Sequence, residues 1–185
     1  MSALILSALL VAPAALAQGQ PTVSKTVTCS ETRHFHGVTY VPSTRRLVVT
    51  DTENGAIYHY DMMDATDGSS VTAAVTWTQF GSGNYQGIEY HEDTDRFFLL
   101  FDGTVRVLDS SGNEVDSFDP TSGSESDLTI KDDTLYVVSN DYSVLAFDVT
   151  SPYAQTNSWT APQLGSACCP SIAYDPVNDV MWHSE

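Results

Sequence analysis

Four segments of the chain repeat one order of short strands and polar turns, and this repeat constrains the fold more than any other feature. Each segment opens with a short strand, turns through polar residues, and continues into a strand of β-branched and aromatic residues. Val38, Ile88, Leu128 and Ile172 occupy equivalent positions, so successive repeats are 50, 40 and 44 residues apart. Periods of this length are typical of the four-stranded blades of β-propellers.

A tight turn and a third strand follow in the first three repeats. Asn54-Gly55 is the strongest of these turn signals, because both residue types tolerate the positive φ angles of a two-residue hairpin. The predicted third strands are 56–61, 104–109 and 143–148. More polar strands follow each of them, as suits the exposed outer edge of a blade.

The repeat predicts an all-β protein. Strands recur about every 8 to 12 residues, and no window combines helical periodicity with helix caps. We therefore expect a β-propeller of four-stranded antiparallel blades, of which about three and a half are present. A β-sandwich is the alternative, but it does not explain the repeated strand order. The predicted blades are residues 36–80, 86–118, 127–160 and, in part, 171–185.

The fourth repeat stops in its second strand, at residues 181–185. Propellers close by combining strands from both chain ends in one blade, and residues 22–29 are a candidate closing outer strand. A third strand would still be missing. Because propellers have about 4 to 8 blades, we expect a fragment of a larger propeller, and an incompletely closed four-bladed ring is the alternative.

The order of strands and turns has a family resemblance. The patterns Gly-Val/Ile-x-Tyr, Leu-Val-Val-x-Asp and Ile-x-x-x-Asp, from about Phe35 to the C-terminus, resemble the NHL-repeat and regucalcin/gluconolactonase-like propellers. This resemblance implies a propeller that is usually six-bladed. Lactonase members carry a metal-binding Glu in a Glu-Gly-Pro motif at the first inner strand. The matching position here is His36-Gly37-Val38, a departure from that motif.

The N-terminus has the pattern of a signal peptide. An apolar run from Ala3 ends in Ala15-Leu16-Ala17, small residues of the kind that precede a cleavage site. We therefore assign residues 1–17 to a signal peptide and residues 18–185 to the β-propeller domain, and we expect a secreted or periplasmic protein. The run is shorter than the about 20 apolar residues of a membrane span, so no stable span is expected after cleavage. Since no Lys or Arg precedes it, an uncleaved anchor or a misplaced start stays open.

The chain is strongly acidic. It has 24 Asp and Glu against 7 Lys and Arg, a formal net charge of −17. Nucleic-acid binding needs clustered basic residues to neutralise phosphates, so no nucleic-acid partner is expected. Such a charge keeps a protein soluble and repels anionic surfaces, while it accommodates divalent cations.

Three cysteines leave the disulfide pairing open. Cys29 is distant in sequence from the adjacent Cys168 and Cys169. An odd number in an oxidising compartment leaves one thiol over or requires a partner elsewhere. Cys29 with one of the pair, a vicinal ring between Cys168 and Cys169, and a bond to another segment are all open.

The predicted ligand face is the end of the blades where inner strands begin and second strands turn into third strands. Inner strands converge there, so loops from several blades supply side chains to one cavity. The candidate residues on this face are His34, His36, Asp51, Glu53, Tyr85, Gln86, Asp102, Asp127, Asn140, Asp141, Cys168 and Cys169.

A metal site is one hypothesis for this face. His34 and His36 are two residues apart, so in a strand they face the same side. Carboxylates from later repeats would supply the oxygen ligands that Ca²⁺ or another hard divalent cation prefers. The alternative for each Asp is a turn-forming residue that binds its own backbone. The predicted metal ligands are His36, Asp51, Asp102 and Asp127.

The sequence supports three functional hypotheses. The leading one is a propeller that binds a small molecule or a protein on its channel face, with or without a divalent cation. The second is a metal-dependent hydrolase of the lactonase or phosphoester type, in which the ion polarises a carbonyl or phosphoryl oxygen and acidifies a water. The third is a structural or adhesive repeat module on a surface. Whether the protein is an enzyme is left open.

Overall fold

The computed structural model describes residues 26–30, 34–120, 125–160 and 170–184, in which all regular structure is β-strand. No helix in these residues is long and apolar enough to cross a membrane. The predicted signal peptide, Cys168 and Cys169 lie outside the described residues. The strands are β1 (Val27–Cys29), β2 (Phe35–Val41), β3 (Arg46–Asp51), β4 (Ala56–Asp61), β5 (Ser69–Val71), β6 (Ala73–Trp77), β7 (Tyr85–His91), β8 (Arg96–Phe101), β9 (Thr104–Asp109), β10 (Glu114–Phe118), β11 (Glu125–Lys131), β12 (Thr134–Ser139), β13 (Ser143–Asp148), β14 (Gln155–Thr160), β15 (Ser171–Asp175) and β16 (Val180–Ser184).

Three four-stranded antiparallel sheets follow one another along the chain. Sheet I has the strand order β2-β3-β4-β6, sheet II has β7-β8-β9-β10, and sheet III has β11-β12-β13-β14. Strands β15 and β16 form the antiparallel pair called sheet IV. The predicted all-β class and the four-stranded antiparallel units are therefore confirmed.

The second strand of each large sheet is apolar because it is covered on both sides. In β8, Phe97, Leu99 and Phe101 belong to the core shared with sheet I, whereas Phe98 and Leu100 belong to the core shared with sheet III. Successive side chains of a strand point to opposite faces, so one run of apolar residues serves two cores. The sheets therefore stack face to face.

The outer strands follow the opposite rule. Every residue of β14 is exposed, and β10 is exposed except for its last residue, Phe118. Their polar sequences fit an edge that has a neighbouring strand on one side only. The predicted polar outer edges are therefore observed in sheets II and III.

A short parallel pair flanks sheet I. Strand β1 pairs with β5, with Val27 opposite Ser69 and Cys29 opposite Val71. Val27 and Cys29 are buried in an apolar cluster that also contains Val49 of sheet I. Residues 22–29 are the predicted closing strand, and residues 22–25 of it lie outside the described residues. The part that the structure describes as a strand is β1, which pairs with β5.

The first strands of the four sheets lie side by side in chain order: β7 lies between β2 and β11, and β15 lies beside β11. Glycine permits the closest of these approaches. A Cβ added at Gly37 would lie 2.7 Å from the backbone nitrogen of Ile88, and one at Gly87 would lie 2.8 Å from that of Leu128. Real Cβ atoms are not found so close to backbone atoms, so both positions require glycine.

We expect Gly37→Ala to destabilise the protein by about 1 to 3 kcal/mol, because the added methyl group pushes β2 away from β7 and loosens the core between sheets I and II. The measurement is the free energy of unfolding in urea. Gly68→Ala is the control, since Gly68 has open space around it and a φ of +75°. Gly68→Ala should lower the free energy of unfolding by the backbone strain alone, about 1 to 2 kcal/mol, without changing the contacts of β2. A loss of less than about 1 kcal/mol for Gly37→Ala would contradict the packing argument.

Candidate functional site

The adjacent inner strands enclose one cavity with residues from all four sheets. Its volume is about 460 Å³. We call it the central cavity. It is lined by His36, Gly37 and Val38 of sheet I, Ile88 and Glu89 of sheet II, Asp127 and Leu128 of sheet III, and Ser171, Ile172, Ala173, Trp182, His183 and Ser184 of sheet IV.

Side chains at one repeated position connect the inner strands across the cavity wall. Thr39, Glu89 and Thr129 occupy this position in β2, β7 and β11. The Thr39 hydroxyl donates to Oε2 of Glu89 at 2.9 Å, and the Thr129 hydroxyl donates to Oε1 at 3.3 Å. Each threonine also accepts a backbone N–H of the next inner strand, from Tyr90 and Tyr174 respectively, both at 3.2 Å. The polar side chains at this repeated position are therefore hydrogen-bonded to one another and to the neighbouring inner strands.

Asp127 makes the corresponding connection between sheets III and IV. Its Oδ1 accepts the backbone N–H of Leu128 at 2.9 Å, and its Oδ2 accepts that of Ile172 at 3.1 Å. Burial raises the pKa of the Asp127 carboxyl to about 6, although these hydrogen bonds favour the charged form. The carboxylate is thus a structural link that also faces the central cavity.

Glu89 has the more strongly perturbed carboxyl of the two. Burial is the main cause that raises its pKa to about 7, and the negative charge of Asp127 raises it further. The hydroxyls of Thr39 and Thr129 and the backbone N–H of Tyr90 lower it in part. Near neutral pH the cavity therefore holds a carboxyl that gains and loses a proton readily.

Sheet IV supplies a second histidine and an aromatic side chain to the cavity, in addition to His36 of sheet I. The Nε2 atom of His183 is buried without a hydrogen-bond partner among the described residues. Its ring packs edge-on against Tyr142, with centroids 6.2 Å apart. Trp182 lines the same cavity and is 61% exposed. The described lining contains no Lys or Arg, so its charge is carried by carboxyls and imidazoles.

The four predicted metal ligands divide into two groups. His36 and Asp127 line the central cavity. Asp51 accepts the backbone and side-chain N–H groups of Asn54 at 3.1 and 2.9 Å, and Asp102 accepts the backbone N–H of Asn84 at 2.8 Å. Asp51 therefore has the turn-forming role considered as the alternative, whereas Asp102 holds the loop that precedes β7, and neither is among the lining residues. The predicted four-residue metal set stays a prediction.

Two other candidates of the ligand face also have structural partners. The hydroxyl of the buried Tyr85 donates to the carbonyls of Gly55 at 3.1 Å and Gly81 at 3.0 Å. The side-chain amide of Gln86 donates to the carbonyl of Glu125 at 2.5 Å. These bonds tie sheet II to its neighbours, so Tyr85 and Gln86 are occupied in holding the sheets together.

The remaining described candidates of the ligand face lie in loops and turns and are not among the residues that line the central cavity. His34 and Glu53 form an exposed pair, with Nδ1 and Oε2 3.7 Å apart. Asp141 accepts the backbone N–H of Ser143 at 3.0 Å in the turn after β12, and Asn140 is exposed beside it. Cys29 is buried, and Cys168 and Cys169 lie outside the described residues, so the three alternatives for the cysteines stay open.

The sequence prediction omitted Glu89, the most perturbed acid in the cavity. The available signal was its position: Glu89 stands in the second repeat where Thr39, Thr129 and Ala173 stand in the others. A charged residue inside an inner strand, between apolar neighbours, is costly unless it has partners or a function. His183 was omitted because it lies at the end of the second strand of its repeat, a position with no predicted role.

No protein-family model matches the chain, and no curated protein is similar enough to match it. The resemblance to NHL-repeat and gluconolactonase-like propellers therefore stays a prediction.

The raised pKa of Glu89 predicts a pH-dependent stability that Glu89→Gln removes. Between pH 4.5 and about 7 the native protein holds a proton that the unfolded chain has lost, so the free energy of unfolding falls as the pH rises. The free energy of unfolding of Glu89→Gln minus that of wild type should therefore rise by up to about 3 kcal/mol between pH 5 and pH 8. Urea denaturation at several pH values measures this difference.

Glu53→Gln is the control for that experiment, because it removes the same charge from an exposed side chain. The stability difference between this control and wild type should change little with pH. If Glu89→Gln behaves like Glu53→Gln, the carboxyl of Glu89 titrates as an ordinary glutamate and the cavity assignment is wrong.

Proposed function

We propose that the four sheets are blades of a β-propeller and that the protein binds a small cationic ligand in the central cavity. The observation that carries this proposal is the lining: inner strands of all four sheets surround about 460 Å³ that contains the Glu89 and Asp127 carboxyls. Pockets for small molecules usually have volumes of about 300 to 1,000 Å³. The predicted apolar leader, residues 1–17, makes export part of the same proposal.

Electrostatics supports a cation as the ligand. A positive group beside Glu89 and Asp127 favours their charged forms, so binding would displace the proton that burial retains there. An anionic ligand would meet two carboxyls and no Lys or Arg side chain among the described lining residues. The net charge of −17 also favours the approach of cations over that of anions.

The aromatic side of the cavity supports an organic cation rather than a bare metal ion. Trp182 presents an exposed indole to the same space. An ammonium group over an aromatic face gains about 0.5 to 2 kcal/mol, most on tryptophan. A cavity lined by two carboxyls, an indole and the apolar side chains of Val38 and Ile88 is therefore a suitable environment for a small amine with an alkyl part.

Hydrolysis is the second candidate function, and the pKa of Glu89 is the observation that favours it. A general acid or base is most effective when its pKa lies near the working pH. Glu89 and Asp127, with pKa values raised to about 7 and about 6, have the protonation states of an acid and base pair at neutral pH. Turnover of a lactone or an ester that Glu89→Gln abolishes would support this candidate over simple binding.

The binding proposal is tested by calorimetric titration of 1,4-diaminobutane, with sodium acetate as the anionic control. We expect saturable amine binding that is about tenfold tighter at pH 8 than at pH 5.5, since both carboxyls are ionised only at the higher pH. Glu89→Gln and Asp127→Asn should each weaken it about tenfold. Acetate should not bind.

Asp61→Asn is the matched variant, because Asp61 is an exposed residue at the end of β4 and takes no part in the central cavity. It should leave amine binding within twofold of wild type. If all three variants weaken binding equally, the amine is attracted by the general surface charge and the proposed site is wrong.

A further inference from the structure

A second group of ligating side chains lies away from the central cavity, where sheets II and III meet. His91 is the last residue of β7, Asp93 is in the turn between β7 and β8, and Asp133 is in the turn between β11 and β12. One ligand atom from each residue lies within 4.8 Å of the others. A cavity of about 410 Å³ opens beside them, with Glu92 and Asp132 at its wall.

The imidazole of His91 is buried and held in place. The residue is only 6% exposed, and its Nδ1 lies 2.9 Å from the hydroxyl oxygen of Thr94. Its Nε2 points at Oδ1 of Asp133 at 3.5 Å, longer than the about 2.7 to 3.2 Å of a normal N–H···O bond. The second ring nitrogen thus faces the carboxylates without a close hydrogen bond among the described residues.

This geometry favours a bound cation. In the tautomer in which Nδ1–H donates to Thr94, the lone pair of Nε2 is directed at Asp133, so a cation between the two atoms would bind both. Ligand atoms at about 2.0 to 2.2 Å from one metal ion are themselves about 3 to 4 Å apart. Nε2 of His91 and Oδ1 of Asp133, 3.5 Å apart, already have this spacing, and a ligand atom of Asp93 lies within 4.8 Å of both. The Thr94 contact orients the imidazole as a second-shell partner does.

The next repeat shows how the same position is neutralised when a permanent cation is present. Lys131 ends β11 as His91 ends β7, and its ammonium group pairs with Asp179 in the turn of sheet IV. Between sheets III and IV, a lysine therefore provides the positive charge for one carboxylate. Between sheets II and III the lysine is replaced by a histidine that faces two carboxylates, so this position has no permanently charged cationic side chain.

We propose that His91, Asp93 and Asp133 bind a divalent transition-metal ion that joins sheets II and III. An imidazole ligand favours zinc and similar ions, whereas calcium takes oxygen ligands only. Water, or the neighbouring carboxylates of Glu92 and Asp132, completes the coordination. The site shares no residue with the central cavity, so a test of metal binding here is independent of a test of amine binding there.

The test is a calorimetric titration of the chelator-stripped protein with zinc chloride. We expect one saturable site per chain, and both His91→Asn and Asp133→Asn should weaken zinc binding at least about tenfold. Asp179→Asn is the matched control, because it removes the same charge from the equivalent turn of the next repeat. It should leave the zinc affinity within twofold of wild type.

Thermal melting provides the second measurement. An ion bound only by the native state raises the melting temperature. Zinc should therefore raise the melting temperature of wild type and of Asp179→Asn, but not that of Asp133→Asn. Calcium at equal concentration should leave the melting temperature of all three proteins unchanged. Asp133 has an 80% exposed side chain, so this variant should fold even if His91→Asn does not. The proposal would be overturned if Asp179→Asn weakened zinc binding as much as Asp133→Asn does. It would also be overturned if calcium raised the melting temperature more than zinc does.

Discussion

The contact between neighbouring inner strands is the interaction on which the rest of this structure depends. These strands lie side by side but do not pair as a sheet, so their facing N–H groups need other acceptors. Thr39 and Thr129 supply hydroxyl oxygens, and Asp127 supplies a carboxylate. A buried N–H group without an acceptor costs about 1 to 3 kcal/mol. The sheets can stack their apolar faces only because this polar seam is satisfied.

The same seam gives the central cavity its electrostatic character. Glu89 and Asp127 are fixed by hydrogen bonds to adjacent strands, which holds both carboxyls in partly desolvated positions and raises their pKa values. Stability and ligand binding are therefore linked, since a cation that favours the charged carboxyls offsets part of the cost of burying them.

The fold was largely predictable because its signals are local. The apolar run of β8, the Asn54-Gly55 turn and the recurrence of the pattern from Val38 to Ile172 identified the strands, their order and the four-stranded antiparallel units. The candidate site was only partly predictable. His36 and Asp127 line the central cavity, but Asp51 binds Asn54 within its own turn, and Asp102 binds the backbone of Asn84 in the loop before β7. An aspartate at a strand end has the same local sequence signal in either role.

The sequence by itself determined the all-β class, the boundaries of most strands and the acidic charge, since strand periodicity and turn chemistry act over a few residues. Only the tertiary structure decided which acidic residues have shifted pKa values or lie beside other candidate ligands. The pKa of Glu89 is raised because the packing of the sheets buries its carboxyl and brings the negative charge of Asp127, from the next repeat, close to it. His91 likewise meets Asp133 only where sheets II and III pack together. Desolvation and charge proximity depend on distance in space, and spacing along the chain does not fix that distance.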